Sequence, residues 1–336
     1  MSHNRRLIVL AGLVISVVFL WLAFRDLQPQ SFIANIRRAN AALLLIGALV
    51  YFVAVTVIAL RWQFLLRSIR FIPLRQLAPL VAIGYMGNNV YPFRAGEALR
   101  IFLLKRDFEV PIARGTTTVL VERAFDGLVM LSFIGLSLLF VNVPSNEIRT
   151  VATMASPVFV GAVVLFFLLA ARPDLLRRLV DRMCRLLPST AGDRIAALSE
   201  EVIHGLEGLR SPANLAGAVI SSFVTWAIEA GVYWIVTFAF DLNVSYALAL
   251  LVVGTVNLAG LIPASPGQVG VYEFFASTVM IAAGVAAAEA AAYAIVVHVV
   301  IWLPVTLVGF FFLARQGLGW SAIARARELE QLSVGE

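Results

Sequence analysis

Residues 84–100 read GYMGNNVYPFRAGEALR and interrupt a long apolar segment with glycine, asparagine and proline, followed at once by charge. Residues 257–273 read NLAGLIPASPGQVGVYE and interrupt a second apolar segment in the same manner. Glycine and proline of this density break a helix, while the apolar flanks are typical of buried or lipid-facing chain. Each interruption is therefore predicted to join two short helical pieces.

The composition around these segments is that of a polytopic membrane protein. Of 336 residues, 61% are hydrophobic and 14% are charged, and the mean hydropathy is +0.91. Soluble domains carry about 25% charged residues, so an ordinary soluble enzyme and a disordered chain are both excluded. The net charge of +6 comes from basic residues between apolar runs, which favours contact with lipid headgroups over nucleic acid. The single cysteine, Cys184, excludes an internal disulfide.

Six apolar runs are long enough to cross a bilayer, which takes about 20 helical residues. They cover residues 7–24, 39–60, 116–141, 150–171, 213–240 and 290–314. Four arginines after the second run indicate a cytoplasmic loop, namely Arg61, Arg67, Arg70 and Arg75. We predict an all-α polytopic membrane protein with about six full transmembrane helices plus two re-entrant helical hairpins. Both termini are expected in the cytoplasm, and the membrane is expected to be a bacterial inner membrane.

The two predicted hairpins occupy matching places in the two halves of the chain, residues 7–141 and 150–314. Each half has three crossings, an odd number, so we expect an inverted repeat within a single domain, residues 1–336. Residues 172–212 form amphipathic helices that either rest on the inner leaflet or pack on themselves as a cytoplasmic hairpin. Residues 315–336 form a cytoplasmic tail. Paired Gly/Pro breaks indicate the binding site of a transporter, although they also serve close helix packing alone.

Charged residues at the first break are suited to binding a phosphate. Arg94 and Arg100 carry guanidinium groups that grip phosphate with two parallel hydrogen bonds, and Glu97 shares their helical stripe. The N-termini of the half-helices at both breaks are expected to add free backbone N–H groups for the same anion. The alternative is a charged helix end at the membrane interface.

Two carboxylates, Glu122 and Asp126, lie one helical turn apart in the third crossing, and Arg123 is expected on a different face. No further metal ligand lies nearby at a suitable spacing, so an ion pair with Arg94 or Arg100 is the favoured role. The other ionisable groups of the apolar segments are Glu229, Glu273, Glu289 and His298. Proton coupling is one possible role for them, and a structural hydrogen bond is the favoured one.

The motifs of common enzyme classes are absent from the sequence. It contains no P-loop G-x-x-x-x-G-K, no H-E-x-x-H and no G-x-S-x-G. The sequence therefore lacks the motifs used for ATP hydrolysis, zinc-dependent proteolysis and hydrolysis by a nucleophilic serine. We predict that the protein is not an enzyme and uses neither a metal nor a cofactor.

Three motifs in order carry a family resemblance. They are Gly87-Asn-Asn-x-x-Pro92-x-Arg94-x-Gly96-Glu97-x-x-Arg100, Glu122-Arg123-x-x-Asp126 and Pro263-x-x-Pro266-Gly267-x-x-Gly270-x-x-Glu273. Over nearly its whole length the chain resembles the lysylphosphatidylglycerol synthase transmembrane region, also called the flippase-like or UPF0104 family. In bifunctional members this region moves aminoacylated phosphatidylglycerol between leaflets. The resemblance thus implies lipid translocation, and a stand-alone member without the synthase domain is expected.

Residue pattern and resemblance together define the candidate site. The predicted substrate-binding residues are Asn88, Asn89, Arg94, Glu97, Arg100, Glu122, Arg123, Asp126, Asn257, Gln268 and Glu273. The predicted hinge residues are Gly87, Pro92, Gly96, Pro263, Pro266, Gly267 and Gly270.

Three functions stay open at this point. The leading one is a translocator that moves a phosphate-bearing lipid between leaflets. The second is an accessory or catalytic membrane subunit of a lipid or polyprenyl-linked synthase or glycosyltransferase, and the third is a non-transporting scaffold. The expected partners are membrane lipids with anionic or phosphate-bearing headgroups and a synthase or glycosyltransferase, but not nucleic acid.

Overall fold

The computed structural model describes residues 3–25, 29–91, 95–141 and 211–317, together with isolated helical positions at 161, 178 and 182. Every regular element within these ranges is helical, as predicted. The helices in chain order are α1 (His3–Phe24), α2 (Pro29–Arg38), α3 (Ala41–Leu66), α4 (Leu74–Val90), α5 (Ala95–Phe108), α6 (Ile112–Phe140), α7 (Pro212–Ala239), α8 (Tyr246–Ala259), α9 (Val271–Ala282) and α10 (Ala287–Arg315). A 3₁₀ turn, Pro266–Gln268, lies between α8 and α9.

Four of the described helices, α3, α6, α7 and α10, are long and apolar enough to cross a membrane. Leu10–Phe24 and Pro29–Arg38 pass the same test together, as a pair bent by 89°. Large apolar side chains stay exposed on the outer faces, among them Leu49 and Leu139, as expected of surfaces that meet lipid. The chain is therefore an all-helical membrane protein with several apolar spans.

The helix boundaries follow from local chemistry that the sequence displays. Proline opens α2 and α7 at Pro29 and Pro212, and it precedes α4 and α6 at Pro73 and Pro111. Proline suits a helix start because its missing N–H would have no helical partner there. The side chain of Asn40 caps α3 by accepting the N–H of Ala42 at 3.0 Å.

The predicted crossings at 39–60, 116–141, 213–240 and 290–314 correspond to α3, α6, α7 and α10. Helix α2 was not predicted. The fourth predicted crossing and nearly all of the hydrophilic segment fall within residues 142–210, outside the described ranges, as does the tail from residue 318. The count of six crossings, the single domain and the inverted halves therefore stay predictions.

The first break forms a tight helical hairpin in which α4 packs along α5. Gly84 and Gly87 of α4 face Gly96 of α5, and a β-carbon on Gly96 would overlap the carbonyl oxygen of Gly84. Only glycine allows the two backbones to approach so closely. The predicted hinge residue Pro92 and the predicted ligand Arg94 lie outside the described residues.

The second break also forms a hairpin, with α8 packed against α9. Its turn holds two glycines in left-handed backbone conformations, Gly267 at φ 70° and Gly270 at φ 92°, which residues with a β-carbon rarely adopt. Pro263 and Pro266 precede them in the same turn. The predicted turn therefore forms at these glycines because its backbone requires positive φ angles.

The long helices hold the two hairpins together. Helices α3 and α7 run antiparallel, because the backbone N–H of Asn40 at one end donates to Ala239 (2.9 Å) while Arg61 near the other end donates to Ser222 (3.4 Å). Helix α10 packs against α4 of the first hairpin, and α6 packs against α8 of the second. Each hairpin is therefore clamped by a long helix from the other half of the sequence.

The glycine contact between α4 and α5 gives a stability prediction. Replacing Gly96 with Ala should lower the free energy of unfolding by about 1–3 kcal/mol, because the added methyl group forces the two backbones apart. Gly127→Ala is the matched control, since a β-carbon there meets nothing within 4 Å. Thermal unfolding of the purified variants in detergent measures both, and equal melting temperatures would contradict the close packing of this hairpin.

Candidate functional site

A cluster of buried charges lies where α3, α5 and α6 meet. Arg61 of α3 is fully buried, with its Nη2 2.5 Å from Glu122 and its Nη1 2.5 Å from Asp126. Arg100 of α5 binds the other oxygen of Glu122 at 2.7 Å, and its guanidinium stacks over the Trp62 ring at 4.3 Å. Buried charges persist only when paired and hydrogen-bonded, so these contacts fix the three helices against each other.

The prediction that placed Arg61 in a cytoplasmic loop is wrong. Helix α3 continues to Leu66, beyond the predicted end of the crossing at residue 60, and carries Arg61 into the protein interior. The apolar residues that follow Arg61 in the sequence, Phe64 to Leu66, were the available signal. Arg67, Arg70 and Arg75 are exposed. Of the two partners expected for the carboxylates, Arg100 contacts Glu122 as predicted.

Arg123 is the guanidinium of the cluster that reaches outward. It lies 3.4 Å from Glu97 and 3.2 Å from Asp126, so its predicted separation from Asp126 is wrong. Its side chain is 34% exposed, compared with 4% or less for those of Arg61 and Arg100. The cluster as a whole balances three arginines with three carboxylates, Glu97, Glu122 and Asp126.

A cavity of about 340 Å³ lies between the two hairpin turns, and Arg123 forms part of its wall. Five predicted substrate-binding residues line it: Asn88, Asn89, Arg123, Asn257 and Gln268. Four others, Glu97, Arg100, Glu122 and Asp126, belong to the charge cluster and are not among the lining residues. The hinge residues Pro263, Pro266 and Gly267 line the cavity, whereas Gly87 and Gly96 form the helix contact of the first hairpin.

The hairpin tips are joined directly and through α10. Asn89 of the first hairpin donates from its side chain to Thr306 of α10 at 2.8 Å. A β-carbon on Gly267 of the second hairpin would lie 3.3 Å from the carbonyl oxygen of Asn89. Helix α1 closes another side of the cavity with Gly12 and Leu13, and its Ser16 accepts the N–H of Ser265 at 2.9 Å.

A second acid–base pair joins α9 to α10. Glu273 lies 2.6 Å from Nδ1 of His298, and its other oxygen accepts the N–H of Gly270 at 2.6 Å. Glu273 and His298 therefore form the structural hydrogen bond that was the favoured prediction for each of them. Because the N–H of Gly270 at the start of α9 is bonded to Glu273, this one N–H is not free for an anion.

Aromatic side chains complete the cavity wall, and sequence reasoning missed them. They are Tyr51, Tyr85, Tyr91, Trp226, Tyr233, Tyr272 and Trp302. Tyr272 stacks on His298 at 4.0 Å between ring centres, and its hydroxyl donates to that of Tyr233 at 2.5 Å. Glu229 of α7, which the sequence showed as an isolated acid, also lines the cavity. Aromatic residues at helical spacing carry no signal that separates a cavity wall from a core.

Within the described residues, four long apolar helices pack around two helical hairpins with a cavity between the hairpin turns, which is the architecture of a helical membrane protein. The chain belongs to the family described as the lysylphosphatidylglycerol synthase TM region, whose model matches residues 9–309. The resemblance read from the three motifs is thereby confirmed.

Similar proteins are found in archaea. The chain is 27% identical to a protein named glycosyltransferase AglD from Haloferax volcanii, over 88% of this chain but only 52% of that protein, so it spans about half the length of this relative. It is 25% identical to a UPF0104 membrane protein of Methanothermobacter thermautotrophicus, over 90% of each chain. It is 19% identical to a UPF0104 membrane protein of Pyrococcus horikoshii, over 94% of this chain and 98% of that one. No solved structure matches the chain.

The charge cluster gives a second prediction. Arg61→Met should lower the free energy of unfolding by about 3–5 kcal/mol, because it leaves Glu122 and Asp126 short of a buried cation. Arg67→Met is the control, because Arg67 lies six residues after Arg61, at the end of the same helix, and is exposed. The free energy of unfolding of this variant should stay within about 0.5 kcal/mol of the wild-type value.

The double variant Arg61→Met with Asp126→Asn tests the cause of that loss. It removes one cation and one anion, so it should be more stable than Arg61→Met alone. In a double-mutant cycle, its loss of stability should therefore be smaller than the sum of the losses in the two single variants. Denaturant unfolding in detergent micelles measures all four proteins. A double variant no more stable than the single one would show that charge balance is not what the cluster supplies.

Proposed function

We propose that the chain moves a phosphate-bearing lipid between the two leaflets of its membrane. The headgroup occupies the cavity between the hairpins while the lipid tails stay in the bilayer. The observation that carries the proposal is a cavity of about 340 Å³, lined in part by Arg123 and four carboxamides, in a protein whose long helices are apolar. A polar headgroup pays a high cost to enter hydrocarbon alone, and fixed polar groups along the way lower that cost.

The proposal includes the membrane arrangement of the chain. Both hairpins are re-entrant, entering from opposite sides of the cytoplasmic membrane, and six full crossings surround them with both termini in the cytoplasm. The antiparallel pairing of α3 and α7 supports it, because these helices hold matching places before the hairpin in each half. Broken helices that meet near the midplane of inverted repeats are the usual site of substrate binding in transporters.

Arg123 is the proposed phosphate ligand among the described residues. It is the arginine of the cluster that lines the cavity, and Glu97 and Asp126 hold its guanidinium in place. Arg94 is proposed as a second ligand from the sequence motif. Arg61 and Arg100 act behind the cavity, where they bind carboxylates, and we propose that they position Arg123 through Asp126 and Glu122.

A second candidate function is a membrane subunit of a glycosyltransferase or lipid synthase. The relative named glycosyltransferase AglD supports it, since the chain corresponds to about half of that protein. The carboxylates that would serve as acid and base, Glu97, Glu122 and Asp126, each lie within 4 Å of an arginine. The oxygens of these carboxylates are engaged by guanidinium groups, so a partnership with a catalytic domain fits this candidate better than catalysis by this chain.

Lipid movement is tested with purified protein in liposomes that carry a fluorescent phospholipid. A membrane-impermeant reductant bleaches the outer leaflet, so about half of the signal is lost without transport and more than half with it. Arg123→Gln should slow the movement at least about tenfold, since a charge-assisted hydrogen bond contributes about 1.5–3 kcal/mol. Arg94→Ala should abolish it.

Two controls accompany this assay. Arg123→Lys keeps the charge but loses the paired hydrogen bonds, and it should fall between the parent and Arg123→Gln. Arg67→Gln changes an exposed arginine and should move lipid at the parental rate. Size-exclusion profiles confirm that each variant is folded. Parent liposomes that lose no more signal than protein-free liposomes, for phospholipids and glycolipids alike, would overturn the proposed function.

A further inference from the structure

The cavity wall carries more neutral polar groups than charges. Four carboxamides line it, Asn88, Asn89, Asn257 and Gln268, and each offers both hydrogen-bond donors and an acceptor. Among the described lining residues, Arg123 is the one arginine or lysine. A site for a bare phosphate is typically rich in cations and N–H donors. This lining instead suits a ligand that donates and accepts hydrogen bonds at several points.

Two residues of the wall offer a ligand different kinds of contact. Asn88 contributes a carboxamide to the wall and Trp302 contributes an indole ring. The buried atoms Oδ1 of Asn88 and Nε1 of Trp302 lie instead against Gly96 and Gly267. A carboxamide forms hydrogen bonds with hydroxyls, and the face of an indole packs on C–H groups.

A buried acidic side chain on the wall also suits a ligand that bears hydroxyls. Glu229 is 4% exposed and lines the cavity. Its carboxyl oxygens accept hydrogen bonds readily from neighbouring hydroxyls.

The aromatic residues of the wall complete the pattern. Trp226, Trp302 and Tyr85 present ring surface to the same cavity as the carboxamides. The C–H faces of a sugar ring pack well on aromatic rings, while its hydroxyls need the mixed donors and acceptors described above. The volume of about 340 Å³ is near the lower end of small-molecule sites, as befits a small headgroup.

We propose that the lipid headgroup in this cavity is a glycosyl unit, joined to its lipid through a phosphate that faces Arg123. This inference rests on the proposed function and names its substrate class. The sugar contacts Asn88, Trp302, Glu229 and the carboxamides of the second hairpin. The chain therefore distinguishes a glycosylated lipid phosphate from the same lipid phosphate without its sugar.

The test is a binding measurement by calorimetry on the full chain in lipid nanodiscs, free of sugar-based detergents, which would occupy the site. The ligands are a water-soluble short-chain prenyl phosphate, the same compound carrying a hexose on its phosphate, and the free hexose phosphate. The hexosyl compound should bind at least about tenfold more tightly than the prenyl phosphate. Equal affinities of these two compounds would overturn the inference.

Trp302→Leu sharpens the measurement, since it keeps an apolar side chain and removes the aromatic ring that packs on the sugar. It should weaken binding of the hexosyl compound about threefold to tenfold and leave binding of the prenyl phosphate unchanged. Trp234→Leu is the matched control, because Trp234 donates to Val244 at 3.0 Å and does not line the cavity. An equal loss for both ligands, or in both variants, would contradict sugar recognition by Trp302.

The arms of the experiment separate this inference from the proposed function. A sugar preference in binding without lipid movement in liposomes would overturn translocation and support the glycosyl site. Movement of plain phospholipids without any sugar preference in binding would support translocation and overturn the glycosyl site. Free hexose phosphate binding as tightly as the lipid-linked sugar would overturn the lipid as the source of the headgroup.

Discussion

The pairing of Arg61 with Glu122 and Asp126 is the constraint on which the described structure depends. A guanidinium on a membrane-spanning helix is stable only where opposite charge surrounds it, and here two carboxylates from α6 do so. Arg100 brings α5, and with it the first hairpin, to the same carboxylate, and Trp226 of α7 donates to Asp126 at 2.7 Å. Four helices are thereby held at one point, and the cavity forms beside it.

The three guanidiniums of the cluster differ in how closely carboxylates hold them. Arg61 and Arg100 are buried against carboxylates, whereas Arg123 is held by Glu97 and Asp126 at longer distances and remains partly exposed. The cavity wall next to it combines amides, aromatic rings and a carboxylate. The buried charges thus hold the helices together, while the mixed wall determines which chemical groups the cavity can contact.

Local signals in the sequence predicted the four long apolar helices and the two pairs of short helices at the breaks, but not α2, since apolar run length, proline at helix starts and glycine in turns act over a few residues. Residue pattern and family resemblance together predicted Asn88, Asn89, Arg123, Asn257 and Gln268 as site residues, and all five line the cavity. Contacts between distant residues were not accessible in this way. Arg61 and Asp126 are separated by 65 positions, and only packing reveals that they meet. The aromatic wall was missed because the same residue types fill ordinary cores.

The meeting of the two hairpin tips has an evolutionary consequence. Gly267 of one turn lies against the Asn89 carbonyl of the other and against the Trp302 indole, so neither tip can change its bulk independently. A substitution in one turn is acceptable only with a compensating one across the contact. The two hairpins must therefore drift together as a single inherited unit, and a hairpin exchanged with a distant relative would require its counterpart to come with it.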